Sequence, residues 1–271
     1  MRGAYTAGVL DFFLDAGIEF PLVTAASSSA LLGSYFLTKT RGSNLKLFEA
    51  LMNNPETISF RRILSGKDLF GMDFIFGQIP KNLVPFDFAA FSRSETRIIL
   101  GTTDIVTGLP CYYDRFETMD ELLTVIRASC SLPVLAPYVA HEGKLLMDGG
   151  LSDPIPILPA LENGSEKNVV ILTRNKGYVK KATRLNWFYR LRFAGYPELR
   201  RLLRDRHNTY NRTMEQLNEL EKRGKVYMIR PEQPLQAKRV ERNRKILHDL
   251  YWQGYREAER QKEELIRFIR D

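Results

Sequence analysis

The chain is poor in the residues that build disulfide frameworks and metal sites. Only two cysteines, Cys111 and Cys130, and three histidines occur among 271 residues, which excludes a disulfide framework or a zinc site. No run approaches the ~18 to 20 consecutive apolar residues that span a bilayer. The first residues also lack the charged and then apolar segments of a secretory signal. We therefore expect a cytoplasmic protein.

Positive charge is concentrated in the last third of the chain. Residues 180–271 contain 24 Lys and Arg against 13 Asp and Glu, whereas residues 1–179 contain 16 against 19. A basic segment can contact nucleic acid or an anionic membrane surface, or it can be the solvated face of long helices. No zinc, helix-turn-helix or RNA-binding signature is recognisable there, so nucleic acid is not an expected partner.

Short apolar runs alternate with helical patterns in the first part of the chain. Buried strands are predicted at 20–24, 97–100, 144–147 and 168–173, and helices at 4–16, 30–38 and 122–128. This alternation favours an α/β fold with a mostly parallel sheet between layers of helices. Residues 54–92, rich in glycine, proline and phenylalanine, are either a lid-like excursion or a loop packed on the domain.

The pattern changes in the C-terminal part. Here the sequence predicts a helix at 197–223, a strand at 225–230 and one or two helices within 240–270. We therefore expect a core domain at 1–179 and a basic, mainly helical extension at 180–271, packed on the core.

A serine-rich turn lies between a predicted strand and a predicted helix. A serine at such a turn has an exposed hydroxyl, and the helix that follows can offer N–H groups to an oxyanion. The outer positions, Ala25 and Ser29, are small, as such a turn requires. The same segment is also typical of a helix N-cap. The local pattern does not distinguish Ser27, Ser28 and Ser29.

An aspartate followed by two glycines ends the strand predicted at 144–147. Asp148 thus lies where α/β sheets place their ligands, and a carboxylate can act as general base for a serine. A simple Asp-Gly turn is the alternative. The histidines are poor candidates for the base, since His141 lies at a predicted hairpin tip and His207 and His248 lie on basic helices.

Motifs along nearly the whole chain resemble those of bacterial patatin-like phospholipases. Residues 2–10, beginning Arg2-Gly3, resemble the stretch that follows the glycine-rich oxyanion loop of that family. The family's Gly-x-Ser-x-Gly elbow falls on residues 25–29, and its Asp-Gly-Gly falls on 148–150. Segments at 102–108 and 127–133, and scattered residues between 210 and 254, are similar as well.

The resemblance implies a patatin-like three-layer α/β fold with an α-rich C-terminal extension. It also implies hydrolysis of carboxylic esters of lipids through an acyl-enzyme, with Ser27 as nucleophile and Asp148 as base, without a metal or organic cofactor. The expected partner is a lipid or another fatty-acyl ester, with peripheral contact to an anionic membrane. The oxyanion and substrate-binding positions are Arg2, Gly3, Ser28, Gly149 and Gly150.

Two departures from the family pattern affect these expectations. The sequence starts beyond the family's first strand and Gly-Gly-Gly, so we expect a gap in the sheet and fewer oxyanion donors; one such donor typically contributes ~10²–10³ in turnover. Ala25 and Ser29 replace the elbow glycines, and a positive φ at either would cost about 1–3 kcal/mol. The alternative function is a weak or inactive patatin-like protein that binds lipid or a protein partner.

Overall fold

The computed structural model describes residues 1–57, 69–183, 185–237, 241 and 243–270. Helices and strands alternate along the first part, and helices dominate after residue 185. The elements are α1 (Gly3–Asp15), β1 (Leu22–Ala26), α2 (Ser28–Leu37), α3 (Ser43–Asn53), the π-helix α4 (Phe74–Leu83), α5 (Phe88–Ser92), β2 (Arg97–Asp104), β3 (Pro110–Tyr113), α6 (Met119–Cys130), β4 (Val139–His141), β5 (Lys144–Asp148), α7 (Leu158–Glu162), β6 (Asn168–Ile171), α8 (Asn186–Arg192), α9 (Pro197–Lys222), β7 (Val226–Ile229), α10 (Arg244–Arg260) and α11 (Lys262–Arg270).

The sheet is organised around β2. β1 pairs with it in parallel, whereas β3 and β5 pair with it antiparallel, and β4 forms a hairpin with β5. β6 and β7 form a separate parallel pair. The predicted α/β fold is confirmed, and the described strands combine two parallel pairings with three antiparallel ones.

A groove separates the two sheets. Among the described strands, β1 pairs only with β2, and β6 pairs only with β7. Residues 22–25 and 168–171 line a cavity of about 230 Å³ between them. The missing family strand stays a prediction. Thr24 bridges it at one point, since its hydroxyl donates to the main-chain oxygen of Pro156 at 2.6 Å.

Helix α1 forms the centre of the apolar core and is buried from Gly3 to Phe13. It crosses α10 so closely that a Cβ on Gly8 would lie 1.9 Å from the main-chain oxygen of Tyr251. A Cβ on Gly254 would likewise lie 2.0 Å from the main-chain oxygen of Tyr5. Only glycine permits this backbone contact, because any side chain would overlap the opposite helix.

Polar side chains also join α1 to α10. The Tyr5 hydroxyl donates to Glu257 at 2.8 Å, and the Tyr251 hydroxyl donates to Asp11 at 2.6 Å. The segment after residue 180 therefore supplies both a helix against α1 and a strand, β7, against β6. The boundary between domains at 179 and 180 stays a prediction.

Most predicted helices and strands lie within a few residues of the observed ones, and 240–270 contains two helices, α10 and α11. Helices α3, α4, α5, α7 and α8 and strand β3 were not predicted. In the described part of 54–92, Ile75, Phe76 and Phe86 are buried in the core, which favours the packed loop over the lid. Gly66 and the rest of 58–68 lie outside the described residues.

None of the described helices is both long enough and apolar enough to cross a membrane.

Candidate active site

Ser27 occupies a strained turn between β1 and α2. Its backbone has φ 59° and ψ −136°, a conformation that is rare for a residue with a side chain and costs on the order of 1–3 kcal/mol. Its side chain makes no capping hydrogen bond to α2. Instead, the Ser27 Oγ donates to Asp148 Oδ2 at 2.6 Å. Ser27 therefore stands at the N-cap position of α2, but its hydroxyl does not cap the helix.

Strand pairing explains why these two residues meet. β3 covers Leu100 to Thr103 on one edge of β2, so β1 and β5 must both lie along the other edge. β1 runs towards Gly101 and β5 runs in the opposite direction towards Thr102. Their ends therefore approach each other, with Ser27 directly after β1 and Asp148 at the end of β5.

The carboxylate of Asp148 is buried and held in place by its own turn. Asp148 is 0 % exposed. Its Oδ1 accepts a hydrogen bond from the Gly150 N–H at 2.9 Å, which caps the 3₁₀ turn Gly149–Leu151. The Asp-Gly turn and the contact with serine thus coexist, because each uses a different carboxylate oxygen.

Two residues after the predicted helix at 122–128 hold the turn of Ser27 in place. The Ser27 N–H donates to Ser129 Oγ at 2.8 Å, and the Ser129 hydroxyl donates to the main-chain oxygen of Gly101 at 2.6 Å. The Cys130 thiol donates to the main-chain oxygen of Ser27 at 3.1 Å. Burial and the charge of Asp148 raise the pKa of this thiol well above its usual value, so it stays protonated at neutral pH. Neither residue was a predicted candidate, although segment 127–133 carried part of the resemblance.

The two glycines after Asp148 lie against the site. A Cβ on Gly149 would lie 2.2 Å from the main-chain oxygen of Gly101, so no side chain fits there. A Cβ on Gly150 would lie 3.0 Å from Asp148 Oδ1. The strain expected at Ala25 or Ser29 is absent: neither residue has a positive φ, and the strained position is Ser27 itself.

Two helices begin beside the turn. α1 starts at Gly3, after Arg2, and α2 starts at Ser28. A Cβ on Gly3 would lie 3.4 Å from the Ser28 Oγ, so the two helix starts are in contact. The first N–H groups of a helix have no partner within it and form the positive end of its dipole. The predicted residues Arg2, Gly3 and Ser28 are thus brought to one place, next to Ser27.

The histidines are engaged elsewhere. His141 ends β4 at the β4–β5 hairpin, as predicted, and its ring lies 5.3 Å from that of Tyr113. The ring of His207 contacts a main-chain oxygen of α9, and His248 contacts Glu49 at 2.9 Å. In the part of the chain that the structure describes, the Ser27 hydroxyl pairs with a carboxylate rather than an imidazole.

Comparison with known proteins identifies the family of the chain. Residues 1–161 match the family model of patatin-like phospholipases, and residues 196–270 match a domain of unknown function, DUF6363. The chain is also 29% identical over 247 residues to the uncharacterized protein YjjU of Escherichia coli (strain K12), covering 87% of this chain and 67% of that protein. The first match spans more than half of the 271 residues, and the chain therefore belongs to the patatin-like phospholipase family.

Proposed function

We propose that this chain hydrolyses carboxylic ester bonds of lipids, with Ser27 as the nucleophile and Asp148 as the general base. The observation that carries the proposal is the 2.6 Å hydrogen bond from the Ser27 hydroxyl to Asp148 at a turn with positive φ. A serine needs an adjacent base to become nucleophilic, and a strained turn between strand and helix exposes its hydroxyl.

In the first half of the reaction, the Ser27 Oγ attacks the acyl carbonyl carbon while Asp148 Oδ2 takes the hydroxyl proton. The carbonyl oxygen becomes an oxyanion in the tetrahedral intermediate. When the intermediate collapses, the bond to the leaving alcohol breaks and Asp148 returns the proton to that alcohol. The product of this half is an ester of Ser27 with the fatty acid.

In the second half, Asp148 takes a proton from water, whose oxygen attacks the acyl carbonyl of this ester. Collapse releases the fatty acid and returns the proton to the Ser27 Oγ. The N–H groups of Gly3 and Ser28, at the starts of α1 and α2, are the proposed oxyanion donors. They suit this role because their helix dipoles place partial positive charge beside Ser27.

We also propose peripheral contact with an anionic membrane through α8. Trp187 and Leu191 are 65% and 74% exposed on this helix, beside Arg190 and Arg192. Exposed aromatic and basic side chains together suit the interface of an anionic bilayer. Flotation with vesicles of phosphatidylglycerol and phosphatidylcholine should recover the protein, and a Trp187→Ala, Leu191→Ala double variant should float less. Equal flotation of both proteins would exclude α8 as the contact.

Turnover of p-nitrophenyl butyrate tests the catalytic proposal. Ser27→Ala should lower kcat/KM by on the order of 10⁴-fold or more. Ser29→Ala is the matched control, because its hydroxyl donates to the main-chain oxygen of Ala26 rather than to Asp148. Wild-type turnover equal to that of Ser27→Ala would contradict the proposal and favour a lipid- or protein-binding role without catalysis.

A further inference from the structure

A cavity lined by arginines lies between helices α8 and α9. The two helices are in contact and are joined by only four residues, 193–196. The cavity between them has a volume of about 330 Å³, and its lining includes Arg190 of α8 and Arg200, Arg201 and Arg204 of α9. None of the described residues that line it is acidic.

The sequence of α9 explains why its arginines face α8. The lining positions 197, 200, 201 and 204 follow the spacing i, i+3, i+4, i+7, so they share one face of the helix. The opposite face carries Leu199, Leu202 and Leu203, which are buried in a cluster that also contains Leu151. Tyr189 of α8 packs against the same cluster. The apolar contacts therefore fix α9 with its arginines turned towards α8.

The cavity holds more positive charge than the neighbouring carboxylates neutralise. Arg201 pairs with Glu198 at 2.7 Å, and Arg204 pairs with Asp205 at 3.1 Å. Arg200 Nε is buried and makes no hydrogen bond within the described residues. Arg200 also belongs to the first turn of α9, where the helix dipole disfavours a cation. Four guanidinium groups and two carboxylates leave two positive charges, which an anion between the helices would offset.

The chemistry of the cavity favours one class of anion. A guanidinium has a planar set of donors that fits phosphate oxygens. A phosphomonoester carries nearly two negative charges at neutral pH, which equals the excess charge of the cavity. A phosphodiester carries one negative charge and offers fewer free oxygens, so it matches the cavity less well.

We propose that the cavity between α8 and α9 is a binding site for a phosphomonoester group, separate from the site of ester hydrolysis. Neither Ser27 nor Asp148 is among the residues that line it. The inference goes beyond the proposed function and does not depend on it, because a ligand bound here requires no carboxylic ester.

Exposed apolar side chains near the cavity favour a lipid headgroup at a membrane surface as the source of this group. Trp187 and Leu191 of α8 are 65% and 74% exposed. Val106 is 56% exposed in the loop between β2 and β3. The same loop contacts α9, since a Cβ on Gly108 would lie 3.1 Å from Glu198. A soluble phosphomonoester has the same chemistry, so the experiments below include both sources.

Calorimetric titration of the wild-type protein with glycerol 3-phosphate tests the site without catalysis, because this ligand has no carboxylic ester. Dimethyl phosphate, a phosphodiester with one negative charge, should bind about 10-fold more weakly or less tightly still. Arg200→Gln should lower the affinity for glycerol 3-phosphate by roughly 10- to 100-fold, since charge-assisted hydrogen bonds to the phosphate are lost. Arg200→Lys should recover part of this loss, because it keeps the charge.

Arg212→Gln is the matched control, because Arg212 is an exposed arginine of the same helix that does not line the cavity; it should leave the affinity unchanged. Arg190→Gln removes a charge from the α8 side of the cavity and should also weaken binding. Since Arg190 is exposed, this variant is expected to fold even if Arg200→Gln does not. No binding of glycerol 3-phosphate to wild type, or equal affinities of Arg190→Gln, Arg200→Gln and Arg212→Gln, would overturn the inference.

Flotation with vesicles distinguishes the two sources of the phosphomonoester. Phosphatidic acid ends in a phosphomonoester, whereas phosphatidylglycerol carries a phosphodiester, and the two vesicle preparations are matched in surface charge. In a Ser27→Ala background, which excludes hydrolysis by the proposed nucleophile, more protein should float with phosphatidic acid, and Arg200→Gln should abolish this preference while Arg212→Gln keeps it. Equal flotation with both lipids, combined with binding of glycerol 3-phosphate, would assign the cavity to a soluble ligand. Equal flotation without such binding would overturn the inference.

Discussion

The carboxylates of Asp148 and Asp11 each accept a hydrogen bond from a hydroxyl at 2.6 Å, in contrasting surroundings. Asp148 accepts from Ser27 at the end of β1, and Asp11 accepts from Tyr251 between α1 and α10. Both carboxylates are buried. The tyrosine is buried too, at 1% exposure, whereas Ser27 is partly exposed at a turn with positive φ, beside the starts of two helices.

A hydrogen bond from a hydroxyl to a carboxylate therefore does not by itself define a nucleophile. At the α1–α10 contact, the bond joins two helices whose backbones touch, so its contribution is to stability. At Ser27, the backbone is held in an unfavourable conformation with the hydroxyl accessible, so the same bond can prepare a reaction. Strain is commonly stored at functional sites and offset by the rest of the fold.

The largest expected effect is a difference in turnover between variants of the two carboxylates. Asp148→Asn should lower kcat/KM for p-nitrophenyl butyrate by about four orders of magnitude, because the amide cannot take the serine proton. Asp11→Asn makes the same change at the structural pair and should leave turnover unchanged. Comparable losses in the two folded variants would show that the two pairs do not differ in function.

The next effect concerns the contact between α1 and α10. Gly8→Ala should lower the free energy of unfolding by about 3 kcal/mol or more, since the new Cβ would overlap the backbone of Tyr251. Gly77→Ala, also in a helix but with no atom within 4 Å of the new Cβ, should be neutral or stabilising by up to ~1 kcal/mol. Urea unfolding followed by circular dichroism measures both. A small effect of Gly8→Ala would contradict the close crossing.

A smaller effect on stability is expected from the strained backbone of Ser27. Ser27→Gly should be more stable than Ser27→Ala by about 1 kcal/mol, because glycine adopts positive φ without a steric penalty. Ser34 on α2 has helical backbone, so there the order should reverse, with alanine more stable than glycine by about 1 kcal/mol. The same order at both positions would argue against a strained turn.

The smallest effect is on the pH dependence of stability. Burial raises the pKa of Asp11 above its usual value, although hydrogen bonds from Tyr251 and Gly42 oppose the rise. Between the unfolded pKa of about 3.9 and the raised folded pKa, the folded chain binds more protons than the unfolded chain. The contribution of Asp11 to stability should therefore grow as pH falls through this window and shrink as pH rises.

Urea unfolding of wild type and Asp11→Asn from pH 4 to pH 7 measures this contribution as the difference between the two proteins. Wild type should gain stability relative to the variant at the acidic end. A difference that widens towards pH 7 would mean that the pKa of Asp11 is lowered rather than raised.

Much of the fold was predictable because local sequence patterns determine many of its helices and strands. The alternation of apolar runs and helical spacing predicted β1, α2, β5 and α9, and the motif order brought Ser27 and Asp148 together as candidates. The antiparallel pairings of β3 and β5 with β2 were not predictable from such runs, because strand direction depends on the connections. The positive φ of Ser27 was not predicted either, since strain was expected at Ala25 or Ser29 instead.

Residues that act across the fold were the hardest to predict. Ser129 lies 102 positions after Ser27, and the resemblance of segment 127–133 did not reveal its hydrogen bond with the Ser27 N–H. Gly8 and Gly254 belong to segments that resemble the family, but the sequence did not show that each is required by the backbone of the other helix. Such roles depend on tertiary contacts, which local propensity does not encode.

The most direct test of the central claim is the site at which a fluorophosphonate reacts. Wild-type protein, Ser27→Ala and Asp148→Asn are incubated with the reagent, and intact and tryptic masses locate the adduct. We expect one adduct on Ser27 in wild type, none in Ser27→Ala and strongly slowed labelling in Asp148→Asn. An adduct on Ser28 or Ser29, or a folded wild-type protein with no adduct, would contradict it.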